Sequence, residues 1–75
     1  MANTLPRLSV VIPLYKEEDN VEHLVDELHA ALETYPGDFE LVMVDDGSTD
    51  RTRELLLQSR SNRGDHIMVI SHKRN

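Results

Sequence analysis

The sequence predicts an α/β fold in which three parallel strands alternate with two helices. Three observations carry this. Short apolar, β-branched runs stand at Leu8–Ile12, Phe39–Val44 and Ile67–Ile70. Two stretches with apolar residues at helical spacing lie between them. Pro, Gly, Asp or Ser marks each junction. Strand–helix–strand–helix–strand with short connections implies parallel strands joined by right-handed crossovers. This is part of a doubly wound sheet.

Leu8-Ser9-Val10-Val11-Ile12 reads as a buried strand closed by Pro13, whose nitrogen has no hydrogen for a sheet ladder. Residues 14–18 are then a loop at the strand's carboxyl end. Asp19 or Asn20 caps the first helix, and Glu22 follows Asp19 as in a capping box. Val21, Leu24, Val25, Leu28, Ala31 and Leu32 form one apolar stripe. Glu22, His23, Asp26, Glu27 and His29 fall largely off it, and the Glu and Asp among them read as its wet face. Tyr35-Pro36-Gly37-Asp38 stops the helix. Phe39 to Val44 is a second strand ending at Asp45, and Asp45-Asp46-Gly47-Ser48 is a loop. Ser48, Thr49 or Asp50 caps a second helix that runs to about Ser59, with Leu55 and Leu56 as its buried pair. Ser61 to Asp65 reads as a turn, and Ile67 to Ile70 as the third strand.

The 75 residues carry a net charge of −6 and no cysteine, with 39% hydrophobic and 29% charged residues. That is the balance of one small globular domain. A chain of this length buries only about 60–65% of its unfolded surface. Without cysteine no disulfide reinforces it, which fits a reducing compartment. The acidic balance argues against a nucleic-acid partner. No apolar run approaches the roughly 20 residues that span a bilayer. Met1 to Arg7 lacks the pattern of a signal peptide and reads as a tail, residues 1–7, ahead of a domain over residues 8–75.

Ligands of open α/β sheets bind outside the carboxyl ends of the strands. Both unusual loops, Pro13–Glu18 and Asp45–Thr49, lie there. Together they bring Tyr15, Lys16, Glu17, Glu18, Asp45, Asp46 and Asp50 to one edge. Three roles fit these residue types. A fixed carboxylate accepts the N–H groups of a nucleobase while a tyrosine ring packs on base or ribose. Carboxylates also suit a divalent cation or general acid–base work. The sequence has neither G-x-x-x-x-G-K-[ST] nor G-x-G-x-x-G. Carboxylates also repel a diphosphate, which favours base and ribose recognition here. The same residues compose an ordinary turn with an N-cap and a solvated acidic loop. The four histidines show no metal-ligand spacing. Arg51 and Arg53 read as solvated, and Lys73 and Arg74 as a charged chain end or a phosphate contact. A receiver-like domain, which holds its acid pair after the first strand, does not fit this order.

Leu8-Ser9-Val10-Val11-Ile12-Pro13-Leu14-Tyr15-Lys16-Glu17 resembles the V-I-P-x-Y-N-E motif that opens family 2 glycosyltransferases. Val42-Met43-Val44-Asp45-Asp46-Gly47-Ser48-Thr49-Asp50 resembles their V-D-D-G-S-x-D motif. The spacing fits, and Glu17-Glu18-Asp19-Asn20-Val21 is similar to the branch that makes polyprenyl- and dolichyl-phosphate sugars. The resemblance covers nearly the whole chain from Leu8 to Asn75.

It implies a partial Rossmann-like (GT-A) fold, β-α-β-α-β with a three-stranded parallel sheet. The chain would carry the amino-terminal part of the nucleotide-binding half. By motif position, Pro13, Tyr15 and Glu17 would contact the nucleotide of a UDP- or GDP-sugar. Asp46 would bind the base beside the Val44 backbone, and Asp45 would support the loop. Mg²⁺ or Mn²⁺ is expected for the full-length family, on a D-x-D motif that does not fall in this chain. No catalytic residue is assigned within it. The acceptor would be a polyprenyl phosphate, and the setting the cytoplasm or the cytoplasmic face of a membrane. One departure is Lys16, where the motif has Asn. The alternative reading is a non-catalytic truncated α/β module that acts through sheet-edge association with a partner, a second copy included.

Overall fold

A computed structural model describes residues 7–72. The tail thus lies almost wholly outside the described residues, as do Lys73 and Arg74. The element order is β1 (Leu8–Leu14), α1 (Val21–Leu32), β2 (Phe39–Asp45), α2 (Thr52–Arg63) and β3 (Ile67–Ser71). The sheet order is β1-β2-β3, with both pairings parallel. This is the predicted α/β fold, with three parallel strands in a β-α-β-α-β chain.

The alternation of each strand separates two faces. Leu14, Leu41, Met43 and Ile67 are buried, and join Val21 and Val25 of α1 and Leu56 of α2 in one core. Val10, Ile12, Leu24, Leu28, Leu32, Phe39, Leu55 and Val69 pack against it. Both helices cover the same face, as two successive right-handed crossovers in one direction require. The opposite face carries Val11 paired with Val42 and Met68, then Pro13 paired with Val44 and Ile70. Val11, Met68 and Ile70 are 62%, 46% and 43% exposed there.

Several local expectations shift. β1 runs through Pro13 to Leu14 instead of closing at Pro13. An edge strand tolerates proline because one of its sides has no ladder partner, and β1 is an edge. Asn20 caps α1 without a side-chain bond, so no capping box forms; its Nδ2 donates instead to the Glu17 carboxylate at 3.1 Å. Ala31 is exposed, at the margin of the stripe. Helix α2 starts at Thr52 and continues past Ser59 to Arg63, absorbing part of the expected turn. Its last turn is held from outside. Arg60 Nε donates to the Ile67 carbonyl at 3.1 Å, and Arg63 pairs with Asp26 of α1. Gly64 ends it at φ +129°, with its N–H on the Arg60 carbonyl at 2.9 Å.

His29 is half-buried and does not belong to the wet face. It meets His66 and Phe39 edge-on, with centroids 4.9 and 6.0 Å away. Its Nδ1 donates to the Val25 carbonyl at 2.8 Å, so its Nε2 accepts the Nε2–H of His66 at 2.6 Å. Burial, then the neighbouring His29, then Arg63 lower the His66 pKa below its ordinary 6.5, against Asp65, which raises it. A histidine depressed in the folded state is fully tolerated above the unfolded value and penalised below it. Stability should therefore decline as pH falls below about 6.5. Urea unfolding at pH 7.5 and 5.5 measures this, and His66→Gln should flatten the dependence across that interval.

Candidate functional site

The carboxyl ends of β1 and β2 are brought level by register. Leu14 pairs with Asp45, so Tyr15 and Asp46, the residues next in sequence, emerge side by side. The Asp46 N–H donates to the Leu14 carbonyl at 2.8 Å and fixes this junction. β3 reaches the same edge, where the His72 N–H donates to the Asp45 carbonyl at 2.8 Å.

The two acids of the pair have different surroundings. Asp45 is 3% exposed, and its Oδ1 accepts the Ser48 N–H at 3.2 Å. It closes the turn in which Gly47 adopts φ +74°, a conformation that suits glycine. Asp46 is more open, and its Oδ1 lies 3.2 Å from His72 Nδ1. Asp45 is thus spent on the loop, while Asp46 stands at the edge.

Loop one presents Tyr15 at 49% exposure. Lys16 Nζ lies 5.3 Å from the centroid of that ring, within cation–π range. Pro13 is exposed, and Val44, its partner in β2, is half-buried on the open face. Glu17 is half-buried; its carboxylate accepts from Asn20, and its carbonyl accepts the Asn20 N–H at 2.9 Å. Pro13, Leu14, Glu17, Asn20, His23, Leu24 and Glu27 line a recess of about 310 Å³. It runs along α1 beside β1 and meets the sheet edge at Pro13, Leu14 and Glu17. Tyr15 and Asp46 stand outside it, on an open ledge.

Loop one is braced by loop two and the start of α2. The consecutive N–H groups of Lys16, Glu17 and Glu18 donate to Ser48 Oγ at 2.9 Å, Thr52 Oγ1 at 2.8 Å and Asp50 Oδ2 at 3.4 Å. A hydrogen bond from the Thr52 hydroxyl is the main reason the Asp50 carboxyl stays below its ordinary 3.8, against desolvation, which raises it. Sequence reasoning missed Ser48, Thr52 and His72 as site residues. Their contacts join segments about thirty residues apart, and no local pattern encodes them.

Lys16 adopts φ +52°. This region is costly for most side chains and open to asparagine, whose short amide tolerates it. The departure from the motif asparagine therefore costs backbone energy, apart from any change in side-chain chemistry. Lys16→Asn should stabilise the chain by about 0.5–1 kcal/mol, read as a raised urea midpoint.

Among the described residues, no three His, Asp or Glu gather closely enough to hold a metal ion. Among the same residues no helix is long and apolar enough to cross a membrane.

Comparison with known proteins matches the model of "Glycosyl transferase family 2" over residues 9–75. The chain belongs to this family. An undecaprenyl-phosphate 4-deoxy-4-formamido-L-arabinose transferase of Photorhabdus laumondii is 38% identical over 71 residues, covering 95% of this chain. The transferase of the same name from Pectobacterium carotovorum is 37% identical over all 75 residues. The chain spans only 22% and 23% of the lengths of these two relatives. The resemblance carried by the two motifs is borne out at the level of the family and of this branch of relatives.

Proposed function

We propose that this chain is the nucleotide-recognition segment of a glycosyltransferase that passes a sugar from a nucleotide-sugar donor to a polyprenyl phosphate. The observation that carries the reading is the register of β1 against β2, which sets Tyr15 beside Asp46 at the ligand edge of the sheet. An imide or amide N–H of uracil or guanine donates to the Asp46 carboxylate. Tyr15 packs on base or ribose, Glu17 and Pro13 line the approach, and the Val44 backbone flanks the base. Asp45 holds the turn.

Loop one directs its consecutive N–H groups at side chains of Ser48, Asp50 and Thr52. They are therefore not arranged as a phosphate nest, which favours base and ribose over diphosphate as the group bound here. In the longer enzyme a Mg²⁺ or Mn²⁺ ion, held by ligands outside this chain, would supply charge neutralisation to the diphosphate. A polyprenyl acceptor favours a membrane-associated setting for that enzyme, at the cytoplasmic face in this reading.

One charge-assisted hydrogen bond and one stacking contact supply about 3–6 kcal/mol before the cost of immobilisation. With that cost the dissociation constant is about a millimolar or weaker, with no transfer by this chain alone. Calorimetric titration with UDP, GDP and ADP tests the reading. Saturable binding of UDP or GDP and not ADP is expected; equal heats for all three nucleotides contradict it.

The exposed apolar face around Val11, Met68 and Ile70 favours a second reading, a module that associates through its sheet. Sedimentation velocity separates the two. A concentration-independent monomer that still binds nucleotide excludes the second.

A further inference from the structure

We infer that Thr52 is a positioning residue of this site, acting through the backbone of loop one. Its functional half rests on the nucleotide reading above; its geometric half does not. Thr52 opens α2 and is 0% exposed, so it touches no ligand. Its Oγ1 accepts the Glu17 N–H at 2.8 Å and donates its own proton to Asp50 Oδ1. Its N–H reaches the same carboxylate oxygen at 3.0 Å. One buried hydroxyl thus joins the peptide of Glu17 to a carboxylate that itself accepts from Glu18.

What this joint holds is a backbone under strain. Lys16, between Tyr15 and Glu17, sits at φ +52°. A lysine keeps that conformation only where its surroundings over-determine it. Ser48 fixes the peptide before it and Thr52 the peptide after it. Without the Thr52 hydroxyl the part-buried Glu17 N–H loses its acceptor, and Lys16 is free to relax. The peptides on either side then rotate, carrying Tyr15 away from Asp46 and Glu17 away from Asn20. A residue outside both motifs' ligand-facing positions thereby sets where the ring and the carboxylate stand.

A packing role and a clamping role predict opposite orders for two substitutions. Thr52→Val keeps the shape and removes the hydroxyl; Thr52→Ser keeps the hydroxyl and removes the methyl. On the ¹⁵N-labelled full chain, the Glu17 amide should exchange at least about tenfold faster in Thr52→Val, as loss of one hydrogen bond implies. Shifts at Tyr15 and Asp46 on adding UDP or GDP should shrink in the same variant. Thr52→Ser should stay within about threefold of the parent on exchange. Equal Glu17 exchange in all three proteins, or a tolerated valine with a damaging serine, overturns the inference. If the parent binds neither nucleotide, the nucleotide reading fails, and the clamp is decided by Glu17 exchange alone. Should Thr52→Val not fold, Ser48→Ala frees the adjoining Lys16 N–H without emptying the core. Faster Lys16 exchange with displaced Tyr15 signals supports the clamp, and unchanged signals reject it.

Discussion

Asp46→Ala is expected to weaken nucleotide binding by about 10–100-fold, the worth of a hydrogen bond to a charged acceptor. From a millimolar starting affinity, that removes detectable saturation. The fold should survive. The bond that positions Asp46 runs from its backbone N–H to Leu14, and alanine keeps it. The side chain lies beside His72 at the sheet edge and is 28% exposed. The melting midpoint should therefore move little. Asp46→Asn retains an acceptor oxygen without the charge and should fall between parent and alanine. The neighbouring acid behaves oppositely. Asp45 is buried against the Ser48 N–H, so Asp45→Ala should lower stability and lose affinity only as the turn loosens. An Asp46→Ala protein with parental affinity would remove Asp46 from the site.

The second large effect is on folding. Leu41 is 0% exposed in the central strand, paired with Val10 on one side and Ile67 on the other. Leu41→Ala should cost about 2–5 kcal/mol, the range for emptying a leucine site in a packed core. A domain of this size holds on the order of 5 kcal/mol in total, so the variant should be largely unfolded at 37 °C. Val11→Ala is the matched control, because Val11 is 62% exposed on the helix-free face. Its cost should stay within about 0.5 kcal/mol. Circular dichroism during urea unfolding reads both. A large loss at Val11 would mean that the open face is covered, by a second copy or another partner.

The elements were legible because their apolar periods are clean. Val21, Val25 and Leu28 mark α1, and the Phe39–Val44 run marks β2. The errors sit where tertiary contacts override local signals. Pro13 reads as a stop, yet an edge strand accommodates it. Ser61-Asn62-Arg63 reads as a turn, yet Arg60 and Arg63 are held by Ile67 and Asp26 from other elements. His29 falls off the apolar stripe, yet it finds His66 across the fold. For the site, the acidic pair and the tyrosine stand out by type and by place at strand ends. The division of labour between Asp45 and Asp46 follows only from their burial. Ser48 stands in the quoted motif, but that its hydroxyl and the Thr52 hydroxyl hold loop one has no local signal, since their partners lie more than thirty residues away.

The central claim is that a nucleotide lands on the ledge formed by Tyr15 and Asp46. Amide shift mapping of the ¹⁵N-labelled chain during UDP and GDP titration tests it most directly. The expected result is a saturable response to one of them at Tyr15, Lys16, Asp46 and Gly47, with α1 beyond Leu24 unmoved. Shifts confined to the recess along α1, at His23, Leu24 and Glu27, or no response to either nucleotide, would contradict it.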